Sequence, residues 1–599
     1  MAVVRALNDP HDVVLSNHRN HGHFLTYSGD FLGLLGEIMG REDSVCGGVG
    51  GSQHIAYRHF HSNGVQAGMT AIGVGLAMAR KRRGSAGIVA AVVGDGTLGE
   101  GLLYESMNLA SVWRLPMLFV IEHNGIAQTT LTADTIGGSI DARGRAFGLE
   151  TWCVDDASDD FLEKVASYVE VVRTGVPGML VITTKRLGPH SKGDDLRDAE
   201  EMSAIRERDP LMKLGATLSA EDREEIEEQN RQFIEFVREE AEASPDASEV
   251  IARTSILRAA KPDAVASPKM VGNVRAQLNA ALHDLMANHS DVILLGEDMH
   301  EPYGGAFKVT QGLSDTYTDR VICSPISEGG IVGTAIGLAM SGFKPIVEIM
   351  FADFVTLAMD QIYNHAVKFP GMFADVEVPM VIRTPSGGRR GYGPMHSQST
   401  ETLMQAVPGL TVVFPSHRHD VGLLLKNVVL RWPNPTVFFE HKLLYGQAVD
   451  PGSYEVLPSE DVGTELFPTL ILKDGGSPDI TIVTYGGMLP PVENFADELR
   501  QEEIGVELVV PSLLSPVPKR SLVAHLLRRP CVAVFEEGYG DSGFGLALGS
   551  ALAEAGFKGR FRRLNTASVP IPAARSLETN VLPDSRAMMA VVSELLSNR

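Results

Sequence analysis

Short apolar runs closed by glycine alternate with stretches of helical periodicity through the first third of this 599-residue chain. Residues 88–93 (IVAAVV) are uninterrupted and apolar, which predicts a strand buried on both faces. A glycine turn follows at 94–96, then a helical pattern over 100–112, a second apolar run over 117–121 and a later one over 178–182. Strand, helix and strand in that order predict a parallel sheet covered by helices. Residues 220–242 are densely charged, with Ile226, Phe233 and Val237 near helical spacing, which predicts a solvated helix with one packed stripe. Between 243 and 270 the composition shifts to Ala, Ser, Pro and Asp, as in a linker.

The pattern then restarts twice. A helix is expected over 271–288, a strand over 292–295, a helix over 330–340 and strands over 345–349 and 380–383. From about residue 465, strands over 480–485, 506–510 and 532–535 alternate with helical patterns. The expected fold is α/β, three parallel-sheet units in succession: residues 1–242, a linker over 243–270, then 271–464 and 465–599. A chain of this length is expected to hold several cores rather than one.

Composition narrows the function. With 44% hydrophobic and 21% charged residues the chain is an ordinary globular one, and its formal charge of −23 argues against a general nucleic-acid or anionic-membrane binder. Cys46, Cys153, Cys323 and Cys531 are far apart, so neither a disulfide framework nor a zinc cluster is suggested. No uncharged apolar run reaches membrane-spanning length, and the N-terminus lacks a signal-peptide layout, so a cytoplasmic location is expected.

The chemistry starts at Gly94-Asp95-Gly96, answered 29 residues later by Asn124. One strand-helix-strand unit at this spacing brings a carboxylate and an amide to the carboxyl ends of neighbouring parallel strands, where open α/β sheets bind ligands. Both supply hard oxygens suited to Mg²⁺, and the glycines admit close approach by a phosphate. The unit therefore reads as a Mg²⁺–diphosphate site and points to thiamine diphosphate. Gly-Asp-Gly alone is also ordinary turn chemistry.

Residues 12–214 resemble the α subunit of the thiamine-dependent decarboxylating component of 2-oxoacid dehydrogenase complexes, of the pyruvate, branched-chain and acetoin types. The resemblance rests on SNHRNHGH (16–23), GGVGGSQH (47–54), the GDG…HN unit and TKRLGPHSKGDD (184–195). The chain from about 271 onward resembles the β subunit of the same family. There the matching pieces are LLGED (294–298), GGAFKVTQGL (304–313), SPISEGGIVG (324–333), EIMFADFVTLAMDQIYN (348–364), GPMHSQ (393–398), VFEEGYGDSGFG (534–545) and VPIP…LE (569–578). The resemblance implies an α–β fusion of the transketolase-like, thiamine-diphosphate-binding architecture, joined near 243–270.

It also implies roles. Asp95, Asn124 and the backbone carbonyl of Ile126 would ligate Mg²⁺, within a cofactor-binding set that includes His18, Arg19, Gly64, Gln66, Gly94, Gly96, Glu297 and Phe354. Arg19 would contact the diphosphate, its fixed fork of donors suiting phosphate oxygens. Glu328 matches the glutamate that hydrogen-bonds a pyrimidine nitrogen and favours the imino tautomer. In isolation it also reads as a helix N-terminal acid favoured by the dipole. Phe354 matches the aromatic stacked on the pyrimidine. His54, His190 and His396 match active-site histidines able to orient a carboxylate and move protons. Ser191 matches a regulatory phosphoserine position of some relatives, or is a plain loop serine. The cluster His18, His21 and His23 lacks the further soft ligands of a transition-metal site.

Three features depart from the family. Seventeen residues precede His18 where relatives usually carry several dozen, so either that segment is lost or this start is late. Gln66 stands where relatives place an apolar wedge under the cofactor. Arg389 and Arg390, a few residues before His396, read as solvated loop charges or as receptors for an anionic group on an unusual donor.

The expected activity is decarboxylation of a 2-oxoacid with acyl transfer to a lipoyl group of a partner acyltransferase, by a homodimer in which each cofactor bridges an α-like and a β-like module. The alternative is transketolase-like cleavage of a ketose or ketose phosphate, with a two-carbon unit passed to a carrier protein such as an acyl carrier protein. An inactive scaffold is the third reading, although its expected loss of metal and proton-transfer residues is not seen.

Overall fold

The computed structural model describes residues 1–191, 193, 195, 197–247, 257–261, 265, 272–458 and 466–597. Most of the expected linker, and the expected boundaries at 271 and 464–465, lie outside them. The chain forms two compact units: Met1–Ser255 with Gly329–Ser341 and Lys368–Val376, and Ile256–Glu328 with Gly342–Val367 and Glu377–Arg599.

The first unit is built on a seven-stranded sheet in the order Ala56–Tyr57, Phe60–Ser62, Val13–Ser16, Val89–Gly94, Met117–His123, Gly178–Thr183 and Glu150–Asp155. All neighbours pair in parallel except the edge pair Ala56–Tyr57 and Phe60–Ser62. Val89, Ala90, Phe119, Val120, Met179 and Leu180 are fully or nearly fully buried, as expected of strands covered on both faces. Burying each large apolar side chain stabilises the fold by about 1.5–3 kcal/mol. The helix Gly68–Arg82, apolar on nearly every face, runs through the interior. Its Gly75 lies against Gly337, where an added Cβ would come within 2.9 Å of the facing backbone, so only glycine permits this approach.

The charged segment is the helix Ala220–Ala243, capped by Ser219. Its packed stripe is narrower than expected. Val237 and Ala241 are buried, whereas Ile226 and Phe233 are about half exposed, Phe233 meeting Phe31 edge-on. The charged positions flanking that stripe leave few apolar neighbours to cover it.

The second unit holds two sheets. One runs Val321–Cys323, Val292–Gly296, Lys344–Glu348, Val381–Ser386, Thr436–His441, Thr411–Val413 and Leu513–Ser515, parallel except for the last strand. The other runs Glu455–Val456, Thr469–Lys473, Val506–Pro511, Ile480–Thr484, Cys531–Tyr539 and Arg560–Thr566, with antiparallel pairing only at its first two junctions. Leu513–Ser515 leaves the second of these sheets to close the edge of the first, which ties their cores together. Across the first, the buried Arg383 guanidinium joins three strands, donating to Glu440 Oε1 at 2.7 Å and to Glu348 Oε2 at 2.9 Å. No helix among the described residues is long and apolar enough to cross a membrane.

Candidate active site

In the first unit the site residues come from the carboxyl ends of five adjacent parallel strands. Phe60–Ser62 leads to Gly64 and Gln66, Val13–Ser16 to His18 and Arg19, and Val89–Gly94 to Asp95. Met117–His123 leads to Asn124 and Ile126, and Gly178–Thr183 to His190. Such a row of strand ends is where open α/β sheets place ligands.

Asp95 opens a single turn of 3₁₀ helix, Asp95–Gly99, and is 2% exposed. Its Oδ2 accepts three hydrogen bonds of 2.9 Å, from Gly125 N–H, Thr132 Oγ1 and His123 Nδ1. Its Oδ1 takes no hydrogen bond among the described residues and is left for another partner. Asn124 Oδ1 accepts the Ile126 N–H at 2.9 Å and keeps one lone pair. Gly125 holds φ +84°, and a Cβ on Gly96 would stand 2.8 Å from that of Ala127, so both glycines are required by the turn. A spare carboxylate oxygen, an amide oxygen and a backbone carbonyl are donors of the hard type that Mg²⁺ takes. A cavity of about 330 Å³ opens against Asn124, Gly125 and Ile126, with Lys185, Arg197 and Glu201 on its wall. The donor set, with Lys185 beside it, fits a metal-diphosphate group.

The second cluster is joined to the first by Thr97 of the same turn. Thr97 Oγ1 donates to Gln66 Oε1 at 2.6 Å, and Gln66 Nε2 donates to His18 Nδ1 at 3.0 Å. Gln66 therefore works as a polar bridge where the family resemblance predicts a wedge. Burial lowers the His18 pKa, and His190 and Arg19 lower it further, so His18 is neutral near pH 7. Arg19 donates to the backbone carbonyl of His190, whose ring centroid lies 5.3 Å from that of His18. His54 Nδ1 accepts the Gly64 N–H at 3.4 Å, and burial lowers its pKa. Ser191 is exposed beside His190. The three histidines 18, 21 and 23 part company: His21 meets Ser52, while His23 donates to Glu122 and accepts from Ser16.

Glu37 carries a role that spacing did not announce. It is 1% exposed, and its two oxygens accept from Ser44 Oγ and from the N–H groups of Cys46, Gly48, Gly50 and Gly51, all within 3.1 Å. One carboxylate thus folds the GGVGGSQH loop that leads to His54. Only the unusual acid within the apolar stretch FLGLLGEIM could have drawn attention to it.

The second unit repeats the arrangement. Val292–Gly296 leads to Glu297, Val321–Cys323 to Glu328, Lys344–Glu348 to Phe354 and Val381–Ser386 to His396. Glu328 is 8% exposed and is the first residue of the helix Glu328–Met340, where the dipole favours an acid. Burial and then the charge of Glu328 push the Glu297 carboxyl up to about 7. The Glu297 Oε1 is buried without a hydrogen-bond partner in the structure. Phe354 and Phe351 both meet the His396 ring edge-on, with centroids 5.3 and 4.6 Å away.

Arg389 corrects the expectation of a solvated or ligand-seeking charge. Its Nε donates to Glu537 at 2.8 Å, a terminal nitrogen donates to Pro583 O at 2.8 Å, and its own N–H donates to Glu578 at 2.7 Å. The partners lie almost 150 residues or more further along the chain, beyond any local pattern. Arg390 is exposed.

Comparison with known proteins gives a consistent picture. Residues 2–250 match the family model "Dehydrogenase E1 component", 272–447 the "Transketolase, pyrimidine binding domain" and 470–588 the "Transketolase, C-terminal domain". The chain is 35% identical over 315 residues to the mitochondrial pyruvate dehydrogenase E1 component subunit beta-2 of Oryza sativa subsp. japonica, covering 52% of this chain and 82% of that one. It is 32% identical over 340 residues to the acetoin:2,6-dichlorophenolindophenol oxidoreductase subunit beta of Cupriavidus necator, covering 54% and 97%. The fold is like that of transketolase from Campylobacter jejuni, with a TM-score of 0.68 at 16% identity over 100% of this chain and 94% of that one. The chain belongs to the E1 family of thiamine-diphosphate-dependent 2-oxoacid dehydrogenases, with an α-like and a β-like region fused in one polypeptide.

Proposed function

We propose that this enzyme decarboxylates a 2-oxoacid with thiamine diphosphate and Mg²⁺ bound, and that the acyl group passes to a lipoyl group on a partner acyltransferase. The observation that carries the reading is that each unit has its own strand-end site: one offers Asp95 and Asn124 for a metal-diphosphate, and the other offers Glu328 and Glu297, with Phe354 and His396 from neighbouring strand ends.

Thiamine diphosphate, when bound, would supply the nucleophile for the 2-oxo carbon and the electron sink that decarboxylation needs. Asp95 Oδ1, the Asn124 amide and the Ile126 carbonyl would hold the metal, and the Arg19 fork would neutralise phosphate charge. Glu328 would exchange a proton with the pyrimidine, and Phe354 would pack against it. His18 serves as a neutral hydrogen-bonding group with its tautomer set by Gln66. His54, His190 and His396 orient the substrate carboxylate and carry protons. The working form is a homodimer of fused chains.

The test is to titrate the protein with thiamine diphosphate, with and without Mg²⁺, and then to follow carbon dioxide release from a C1-labelled 2-oxoacid with an artificial electron acceptor. Metal-dependent binding and cofactor-dependent release are expected. Cofactor binding that ignores Mg²⁺, or release without the cofactor, contradicts the proposal.

A further inference from the structure

Thr436–His441 is the fifth adjacent parallel strand of the second site, and the residue that leaves its carboxyl end is Lys442. Lys442 is 1% exposed. Its own N–H donates to Ser386 O at 3.1 Å, which fixes the root of the side chain. Its ammonium donates to the backbone carbonyl of His396 and stands 5.5 Å from the ring centroids of both Phe351 and Tyr392, close enough for cation–π attraction. Phe351 is the ring that meets the His396 imidazole at 4.6 Å.

We propose that Lys442 is a positioning residue of the active site: its ammonium holds the His396 backbone and the Phe351 and Tyr392 rings together, and thereby sets the place of the His396 imidazole. The proposal rests on the function assigned to His396 above. The charged groups that face Lys442 are Asp353, Glu537, Glu578 and Arg390. Glu537 is taken by His441 and Arg389, and Glu578 by the N–H groups of Arg389 and Gly391. Among the described residues the one hydrogen bond of the ammonium is to His396; Asp353, the leading opposite charge, acts on it without a direct ion pair. Burial of this cation costs desolvation energy that Asp353, Glu537 and Glu578 only partly offset, and its one hydrogen bond goes to the loop that carries His396. Burial pushes the Lys442 ammonium down to about 8, and Arg390 lowers it too, against the raising charges of Asp353, Glu537 and Glu578. The clamp is therefore charged at neutral pH and released in mild alkali.

The test compares the whole enzyme with Lys442→Met and Lys442→Arg. Amide exchange of residues 387–399, corrected for intrinsic pH dependence and read by mass spectrometry, needs no substrate. It should rise in Lys442→Met, return toward wild type in Lys442→Arg, and rise in the wild type above about pH 8. Oxidation of a 2-oxoacid with an artificial acceptor should fall at least tenfold in Lys442→Met without a lower thermal midpoint. In Lys442→Arg the alkaline limb of the rate profile should move upward, because a guanidinium stays charged. Unchanged exchange in Lys442→Met, or the wild-type alkaline limb in Lys442→Arg, overturns the proposal. If the wild type turns over no 2-oxoacid, the assigned function fails while the exchange arm still decides the role of Lys442.

Discussion

The Glu297 carboxyl is held up to about 7 by burial and by the neighbouring charge of Glu328. A neighbouring negative charge disfavours the ionised form of Glu297, on top of the larger cost of burial. Replacing Glu328 by Gln removes the charge but leaves the larger effect of burial, so the Glu297 titration should move down from about 7 and stay above the ordinary carboxylate range. Turnover should fall about 10²- to 10⁴-fold, the usual share of general acid–base catalysis, while thiamine diphosphate still binds. Calorimetric titration and carbon dioxide release check both arms, and unchanged turnover contradicts the role of Glu328.

The Thr132 hydroxyl reaches the proposed metal ligand from behind, through its 2.9 Å bond to Asp95 Oδ2, while its N–H donates to Gly125 O. Groups that orient a ligand typically govern metal affinity by about 10–100-fold. Thr132→Val should raise the Mg²⁺ concentration needed for half-maximal activity by that factor, with kcat at saturating metal little changed. A Mg²⁺ titration of activity reads it directly.

Glu37→Ala should destabilise the first unit by about 3 kcal/mol or more, because five donors of a half-buried loop lose an acceptor that is itself buried. Glu37→Gln, which keeps one acceptor oxygen, should cost less. Chemical denaturation followed by tryptophan fluorescence separates the two.

Glu401 and Glu536 face one phenol: Tyr485 Oη lies 3.2 Å from Glu401 Oε1 and 3.0 Å from Glu536 Oε2. A single hydroxyl donates one hydrogen bond, so the second carboxyl bonds to it only as an acid. Burial, aided by the charges of Glu536 and Glu537, pushes Glu401 up to about 8. A raised folded pKa gives stability that is complete below the unfolded value and is lost as pH rises through the folded one. Unfolding free energy should therefore fall between about pH 5 and 8, and Glu401→Gln should flatten that slope. Denaturation midpoints across this range check the sign.

Much of the fold was legible because its carriers are local. The run at 88–93 became the strand Val89–Gly94, and the spacing of Asp95 and Asn124 anticipated two neighbouring strand ends. The helix of Glu328 and the strands at 292–296 and 480–484 lie within a residue or two of where periodicity placed them. What escaped depends on register and distant partners. The Arg383 ion pairs require three strands in alignment, Arg389 meets acids from the far end of the chain, and Lys442 matters only through the loop it reaches. The exposed flank of Ala220–Ala243 was misread because helical spacing says which residues share a face but not whether anything covers it.

Substrate class separates a 2-oxoacid dehydrogenase from a transketolase on this shared fold. With thiamine diphosphate, Mg²⁺ and an artificial electron acceptor, the protein should turn over one or more 2-oxoacids and leave ketose phosphates untouched. Turnover of ketose phosphates alone, with none of any 2-oxoacid in the panel, contradicts the dehydrogenase reading.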